Sequence, residues 1–322
     1  MKFLSKTLLL ITVSIAASGA AIADPAMDWI QKMSDAMRNL NYRGNFVYLH
    51  EGQLESMEIS HARDSSGEKE RLISLNGEAR EVLRDNQNLT CIWPSSRKVV
   101  VDNVRKNSFS PIFIPEDIAR IEKSYGMKII GRDRIANMAT VVVQINPRDN
   151  LRYGMKFWIN EANGLMMKSS LINEHGEEVE QVMFTSIELF EGGETLVLDT
   201  ISQLDDSYTM IRFHSGDSSM PFTVDNAWQL ATPPGGFWRD SALKRKSPGS
   251  DYFVQQMVYT DGLASLSVFI ERHTGGTPAG SSSMGAVNAY IRILNDHSIT
   301  AIGEVPAITV RQVAESITYQ AQ

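Results

Sequence analysis

The sequence predicts an α+β protein: a large antiparallel sheet curved by its own twist, followed by a smaller unit. Three observations carry this. Period-two alternation recurs in short runs between residues 42 and 189, and clusters of Gly, Asn, Asp, Ser or Pro separate the runs. Large apolar side chains occupy both faces of the central runs, since Phe157 and Trp158 are neighbours and project oppositely. The chain has 322 residues, enough for two units that each bury a core.

At the N-terminus, Lys2 and Lys6 precede an apolar run, Leu8 to Ala17, that is too short to span a bilayer. Ala21-Ile22-Ala23 fits a signal-peptidase site. The expectation is an export signal over 1–23, cleaved after Ala23, and a soluble protein in the periplasm of a Gram-negative source. Cys91 is the only cysteine, so no internal disulfide forms and no lipid-anchoring cysteine stands at that junction. On its expected strand it reads as a small buried hydrophobe. The formal charge of −7 becomes −9 without the two leader lysines, an acidic balance that argues against nucleic acid as a main partner.

Asp24-Pro25 is a helix-start pair, an N-cap acid followed by proline at the first helical position. Ala26, Ile30, Met33, Met37 and Leu40 then form one apolar stripe for packing on a sheet. Strands are expected at Tyr42–His50, Leu54–His61, Arg71–Leu75, Ala79–Arg84, Leu89–Trp93 and Lys98–Val101. Glu51-Gly52, Asp64 to Gly67, Asn76-Gly77, Asp85 to Asn88 and Pro94 to Ser96 turn between them.

Residues 107–115 are different. Phe109, Ile112, Phe113 and Ile114 crowd around Pro111 and Pro115 with neither period. Leaving four such side chains in water forfeits about 6–10 kcal/mol, so this segment must cover something. It either plugs the core or forms a lid over a lipid-accepting cavity. A short helix over 116–125 leads to strands at Thr140–Ile145, Tyr153–Ile159, Leu165–Ile172 and Val179–Leu189. Asn163-Gly164 is the strongest hairpin signal among them, since both residues tolerate positive φ.

The expected domains are 24–205 and 220–322, linked by 206–219, with Ser215 to Ser219 as the hinge. The second domain shows Trp228, a turn at Pro233 to Phe237, strands at Gln255–Thr260 and Leu263–Glu271 around Asp261-Gly262, and a Gly/Ser-rich loop from Thr274 to Gly285. Strands at Ala286–Ile293 and Ser298–Glu304 and a helix at Ile308–Ile317 complete it.

No catalytic set emerges. His50-Glu51 lacks the second histidine of H-E-x-x-H, the six histidines have no metal-ligand spacing, and neither G-x-S-x-G nor G-x-G-x-x-G occurs. Ser95-Ser96-Arg97-Lys98 and Ser241-Ala242-Leu243-Lys244 match S-x-x-K, but neither stands at a helix start. No enzyme activity, cofactor or metal is expected. Arg80 and Arg84, four apart on one expected strand, and Lys244-Arg245-Lys246, the densest basic run, are candidates for anion or partner binding. A solvated, self-neutralised surface is the plainer reading of each.

Several runs together resemble the MucB/RseB family. They are Gly44 to Tyr48, His61, Gly67 to Leu72, Leu75-Asn76-Gly77 with Arg80-Glu81-Val82, and Pro147-Arg148-Asp149 with Arg152-Tyr153-Gly154. Pro234 to Phe237, Tyr259 to Leu263 with Ser267-Val268-Phe269, and Gly303 to Pro306 continue the match through the second domain. Pro233-Pro234-Gly235-Gly236-Phe237 departs slightly from the family's Leu-Pro-x-Gly-Phe.

The resemblance implies a LolA/LolB-like half-open barrel with covering helices and a smaller C-terminal α/β domain of antiparallel strands with a terminal helix. It implies a periplasmic negative regulator of sigma-E that binds the periplasmic segment of a RseA/MucA-type anti-sigma factor. Bound, it shields that segment from DegS-type site-1 proteolysis, and lipopolysaccharide or another lipid displaces it. Such a protein is peripheral to the inner membrane through its partner; homo-oligomers are left open. Candidates for lining a lipid cavity or lid are Phe46, Tyr48, Phe109, Ile112, Phe113, Ile114, Phe157 and Trp158. The alternative is a lipid or lipoprotein carrier of the LolA/LolB type, against which the second domain and its basic run stand.

Overall fold

The computed structural model describes residues 25–86, 88–103, 112, 115, 118–191, 204–213, 227–246, 252–276 and 278–320. Helix α1 spans Pro25–Asn39 and buries Ala26, Ile30, Met33, Ser34, Ala36 and Met37, which includes four of the five stripe residues the sequence predicts. Six strands follow: β1 Tyr42–His50, β2 Gln53–Asp64, β3 Gly67–Ser74, β4 Glu81–Asp85, β5 Asn88–Trp93 and β6 Lys98–Asn103. A single helical turn, α2 (Ile118–Ile121), precedes β7 Tyr125–Ile135, β8 Met138–Pro147, β9 Gly154–Asn160, β10 Met166–Ile172 and β11 Glu178–Leu189. The last strand of this unit is β12, Thr209–Phe213.

These twelve strands form one sheet, ordered β12-β6-β5-β4-β3-β2-β1-β11-β10-β9-β8-β7. β1 pairs with both β2 and β11, so the early hairpins and the later meander become one surface. The sheet curves around α1 without closing into a barrel. Phe46, Met57, Ile59, Val143, Phe157, Ile159 and Phe184 face inward and form one cluster with Ile30, Met33 and Met37 of α1. The β9–β10 turn sits under the helix: a Cβ on Gly164 would lie 2.9 Å from Lys32 Cγ, and its φ of +84° favours glycine anyway. Asn163 does not share that positive φ, so the turn is wider than a two-residue hairpin, with the Asn160 N–H donating to Leu165 O at 2.9 Å.

The second unit is a six-stranded antiparallel sheet ordered β14-β15-β16-β19-β18-β17. Its strands are β14 Trp238–Lys246, β15 Phe253–Thr260, β16 Ser265–Arg272, β17 Gly280–Met284, β18 Val287–Leu294 and β19 His297–Gly303. Helix α3, Ala307–Ser316, packs Val310, Val313 and Ala314 on Met257, Leu266, Val268, Ile270, Ile299 and Ala301. Two short strands, β13 Trp228–Leu230 and β20 Ile317–Tyr319, pair beside it.

Three expectations need correction. Residues 209–213, placed in the linker, pair in parallel with β6 and belong to the large sheet. Part of the Gly/Ser-rich loop, Gly280–Met284, is an edge strand held by β18. The eleven-residue β7 lies where no strand is expected, between the short helix and Thr140. The expected hinge, Ser215 to Ser219, lies outside the described residues.

Candidate functional site: the joint between the domains

The two units meet at turns, and the centre of the meeting point is charged. Arg152, just before β9, and Asp261, in the β15–β16 turn, are both 1% exposed. Arg152 Nη1 donates to Asp261 Oδ2, and Nη2 donates to the Gly235 carbonyl. From the first domain, Asp149 takes the other side of the fork: Nε to Oδ1 and Nη2 to Oδ2, each 3.0 Å. The Tyr125 hydroxyl donates to Asp261 Oδ2 at 3.0 Å. Asp261 Oδ1 accepts from the N–H groups of Leu263 (2.9 Å) and Ala264 (2.7 Å), which fixes its own turn.

Every charged atom here has a partner, the condition for keeping a buried ion pair. The guanidinium also lies over the rings of Phe237 (4.9 Å) and Tyr125 (5.6 Å). Burial works against its charge, but Asp149 and Asp261 more than offset this and hold the Arg152 pKa above its usual range. Burial, then the Asp261 charge, pushes the Tyr125 hydroxyl well above the ordinary tyrosine range, so it remains a proton donor.

Other contacts surround this centre. Asn288 donates to the Tyr153 hydroxyl at 3.0 Å and to Val305 O at 2.9 Å. Thr309 Oγ1 donates to Leu151 O at 2.7 Å, tying the start of α3 to the first domain. Arg120 lies 4.6 Å over the Trp238 ring, and Leu263 packs against the first domain's core. Gly236 has φ +83°, and a Cβ there would collide with Ser124 Oγ, so this corner admits only glycine without rearrangement. At the rim, Tyr48 donates to Glu180 Oε2 at 2.8 Å, and Glu180 interacts electrostatically with Glu304 of the second domain.

The residues singled out from sequence are placed as follows. Phe46 and Phe157 are fully buried in the concave cluster, and Ile112 joins it. Ser34 Oγ and Arg38 Nη2 both donate to the Pro115 carbonyl, at 2.8 and 2.9 Å, so α1 latches the segment that carries Ile112. Phe109, Phe113 and Ile114 lie outside the described residues. Trp158 is a correction: it faces away from Phe157, its indole donating to Asp133 Oδ2 at 3.0 Å with Lys168 stacked over the ring. It cannot line the same interior, because adjacent strand residues alternate.

Arg84 donates to Glu68 and Glu70, and Arg80 pairs with Glu55 at 3.5 Å, so both face carboxylates of their own domain. Lys244, Arg245 and Lys246 lie on β14, away from Arg152 in sequence and on the edge of the second sheet. Among the described residues no helix is long and apolar enough to cross a membrane.

In the sequence, Asp149 and Arg152 stand among charged residues at strand ends and Asp261 in a turn, and nothing there joins the three. One signal was available: the runs Arg148 to Gly154, Pro234 to Phe237 and Tyr259 to Leu263, quoted separately for the resemblance, all converge on this joint.

Comparisons with known proteins agree across both domains. The profile of the MucB/RseB N-terminal domain matches residues 25–208, and that of the MucB/RseB C-terminal domain matches 223–318. The sigma factor AlgU regulatory protein MucB of Pseudomonas aeruginosa is 30% identical, over 98% of this chain and 98% of its own length. The sigma-E factor regulatory protein RseB of Escherichia coli K12 is 26% identical, over 100% of this chain and 99% of its own. A crystal structure of MucB in complex with MucA(peri) superposes with a TM-score of 0.70 at 27% identity, covering 92% of this chain and all of that one. A Pseudomonas aeruginosa MucA/MucB complex gives 0.71 at 28% identity, covering 92% of this chain and 99% of that one.

Proposed function

Because the chain belongs to the MucB/RseB family, we propose that it binds the periplasmic segment of a RseA/MucA-type anti-sigma factor and so represses sigma-E. The family consists of regulatory binding proteins, not enzymes. The observation that carries the proposal is the likeness, through both domains, to MucB solved with MucA(peri). While bound, the protein keeps the segment from site-1 proteolysis in the periplasm, and a lipid signal such as lipopolysaccharide releases it.

Two features support this reading. The first is the joint: a large rotation between the domains must part Arg152 from Asp261 and strand a buried charge, so the pair resists it together with the contacts around it. The second is the latch. Ile112 packs into the concave cluster, α1 holds the Pro115 carbonyl, and Phe46 and Phe157 are covered by protein side chains. A lipid tail reaches Phe46 or Phe157 only by displacing some of them, which gives lipid-bound and partner-bound proteins different arrangements. Without such a difference, lipid could not drive release.

A cleavage assay tests the proposal. Mature protein at saturating concentration is expected to slow cleavage of the anti-sigma periplasmic segment by its DegS-type protease, and lipopolysaccharide is expected to restore it. Unchanged cleavage with the protein present contradicts the regulator reading; protection that lipid leaves intact contradicts the release step.

A further inference from the structure

We propose that β14 is an open sheet edge onto which an acidic, extended segment of a protein partner adds as a further strand. This rests on the chain being a binding regulator and names the surface and the partner chemistry. β14 ends the order of the six-stranded sheet, with β15 on one side and, among the described residues, no strand on the other. An edge strand presents a row of backbone N–H and C=O groups that an incoming peptide can satisfy.

The charge on this edge is lopsided. Between residues 227 and 320, seven basic and seven acidic residues balance, yet β14 carries four of the basic ones, Arg239, Lys244, Arg245 and Lys246, and one acid, Asp240. Across the ladder, Lys244, Arg245 and Lys246 stand opposite Gln255, Val254 and Phe253, so β15 offers them no counter-charge. The Lys244 ammonium lies 5.5 Å over the Phe253 ring, and no described carboxylate pairs with it.

Large apolar side chains are exposed on β14 and at the start of β15: Leu243 is 42% exposed, Tyr252 44% and Phe253 43%. Lysines at an edge commonly serve to repel other strands. Here they repel cationic strands; for an acidic strand they are the complement, and Leu243 and Phe253 offer it exposed apolar side chains. A phosphate-bearing lipid surface would use the cations but has no need of the open backbone, so a peptide uses more of what this edge presents.

The test is hydrogen exchange and affinity measured on the mature protein. The probe is the anti-sigma periplasmic segment, with phosphatidylglycerol vesicles as a second arm. Binding of the segment is expected to slow amide exchange over 241–246. The triple variant Lys244→Glu, Arg245→Glu, Lys246→Glu is expected to weaken binding at least about tenfold at low salt, with a smaller loss in high salt. A milder variant, Lys244→Gln, guards against misfolding of the triple and should weaken binding in the same direction.

Segment binding with unchanged 241–246 exchange and unchanged affinity of both variants overturns the edge-strand inference and leaves the regulator reading standing. No segment binding at all overturns both. Vesicle binding lost in the triple variant, with no segment-dependent protection of β14, assigns the edge to lipid and also overturns it.

Discussion

Replacing Asp261 with Asn perturbs the joint with almost no change of shape. The amide oxygen can still accept from Leu263 and Ala264, so the turn survives. The amide nitrogen, however, now points hydrogens at Arg152 Nη1, which is itself a donor. A hydrogen bond to a charged group is worth about 1.5–3 kcal/mol. Stranding a buried charge completely costs about 3–5 kcal/mol. The full penalty is not reached, because Asp149 still holds Nε and Nη2 and Gly235 still accepts. Tyr125 can also turn its hydroxyl to accept from the amide. The expected loss is therefore about 2–3 kcal/mol.

It falls on docking rather than on either core, since the two clusters are built from separate residues. By calorimetry the first affected transition should drop by about 4–12 °C and separate from the other. Asp149→Asn is the control: Asp149 is more open to water, and its loss should cost about 1 kcal/mol. One transition within about 1 °C of wild type for Asp261→Asn would falsify the buried pair as the element that couples the domains.

Three further outcomes are expected. Burial, then the Glu180 charge, pushes the Glu304 carboxyl up to about 7, and burial also raises Glu180. A carboxyl raised on folding contributes stability below its unfolded value near 4.5 and loses that contribution as pH rises through about 7. Docking should therefore weaken between these values, modestly because Glu304 keeps solvent access, and Glu304→Gln should flatten the profile; an unaltered melting-temperature profile contradicts this. Gly236→Ala should destabilise the joint by about 1–3 kcal/mol through backbone strain, read by denaturant unfolding, and a neutral result refutes the positive-φ argument. Ser34→Ala with Arg38→Ala removes both donors to Pro115 and should lower the lipopolysaccharide concentration that releases the partner; an unmoved midpoint refutes the latch.

How far the sequence was legible depends on the range of the interactions. Helix α1 and strand β1 follow from local spacing: a stripe on one face, then alternation bounded by Gly and Asn. β7 hides because a bulge between Ile129 and Gly131 breaks the alternation, and because residues 128–134 are all exposed at the sheet edge. β17 hides because Gly and Ser have little strand preference of their own, and its structure is imposed by pairing with β18. β12 is held by a parallel ladder to a distant strand, which no local pattern announces.

The joint is the extreme case. Arg152 and Asp261 are 109 residues apart, and each sits in a turn whose composition already explains it locally. Asp261 reads as the first residue of an Asp-Gly turn and does cap that turn, so nothing in the local run betrays its second role. Lys244 is the reverse: the basic run is plain in sequence, but that it lies on a sheet edge opposite uncharged residues is not.

The most direct measurement is calorimetric titration of the anti-sigma periplasmic segment into mature protein, wild type beside Asp261→Asn. Saturable binding by wild type, weakened about tenfold or more when the joint loses its charge, is the expected result. Identical isotherms for the two proteins would show that the partner does not depend on the domains being held together.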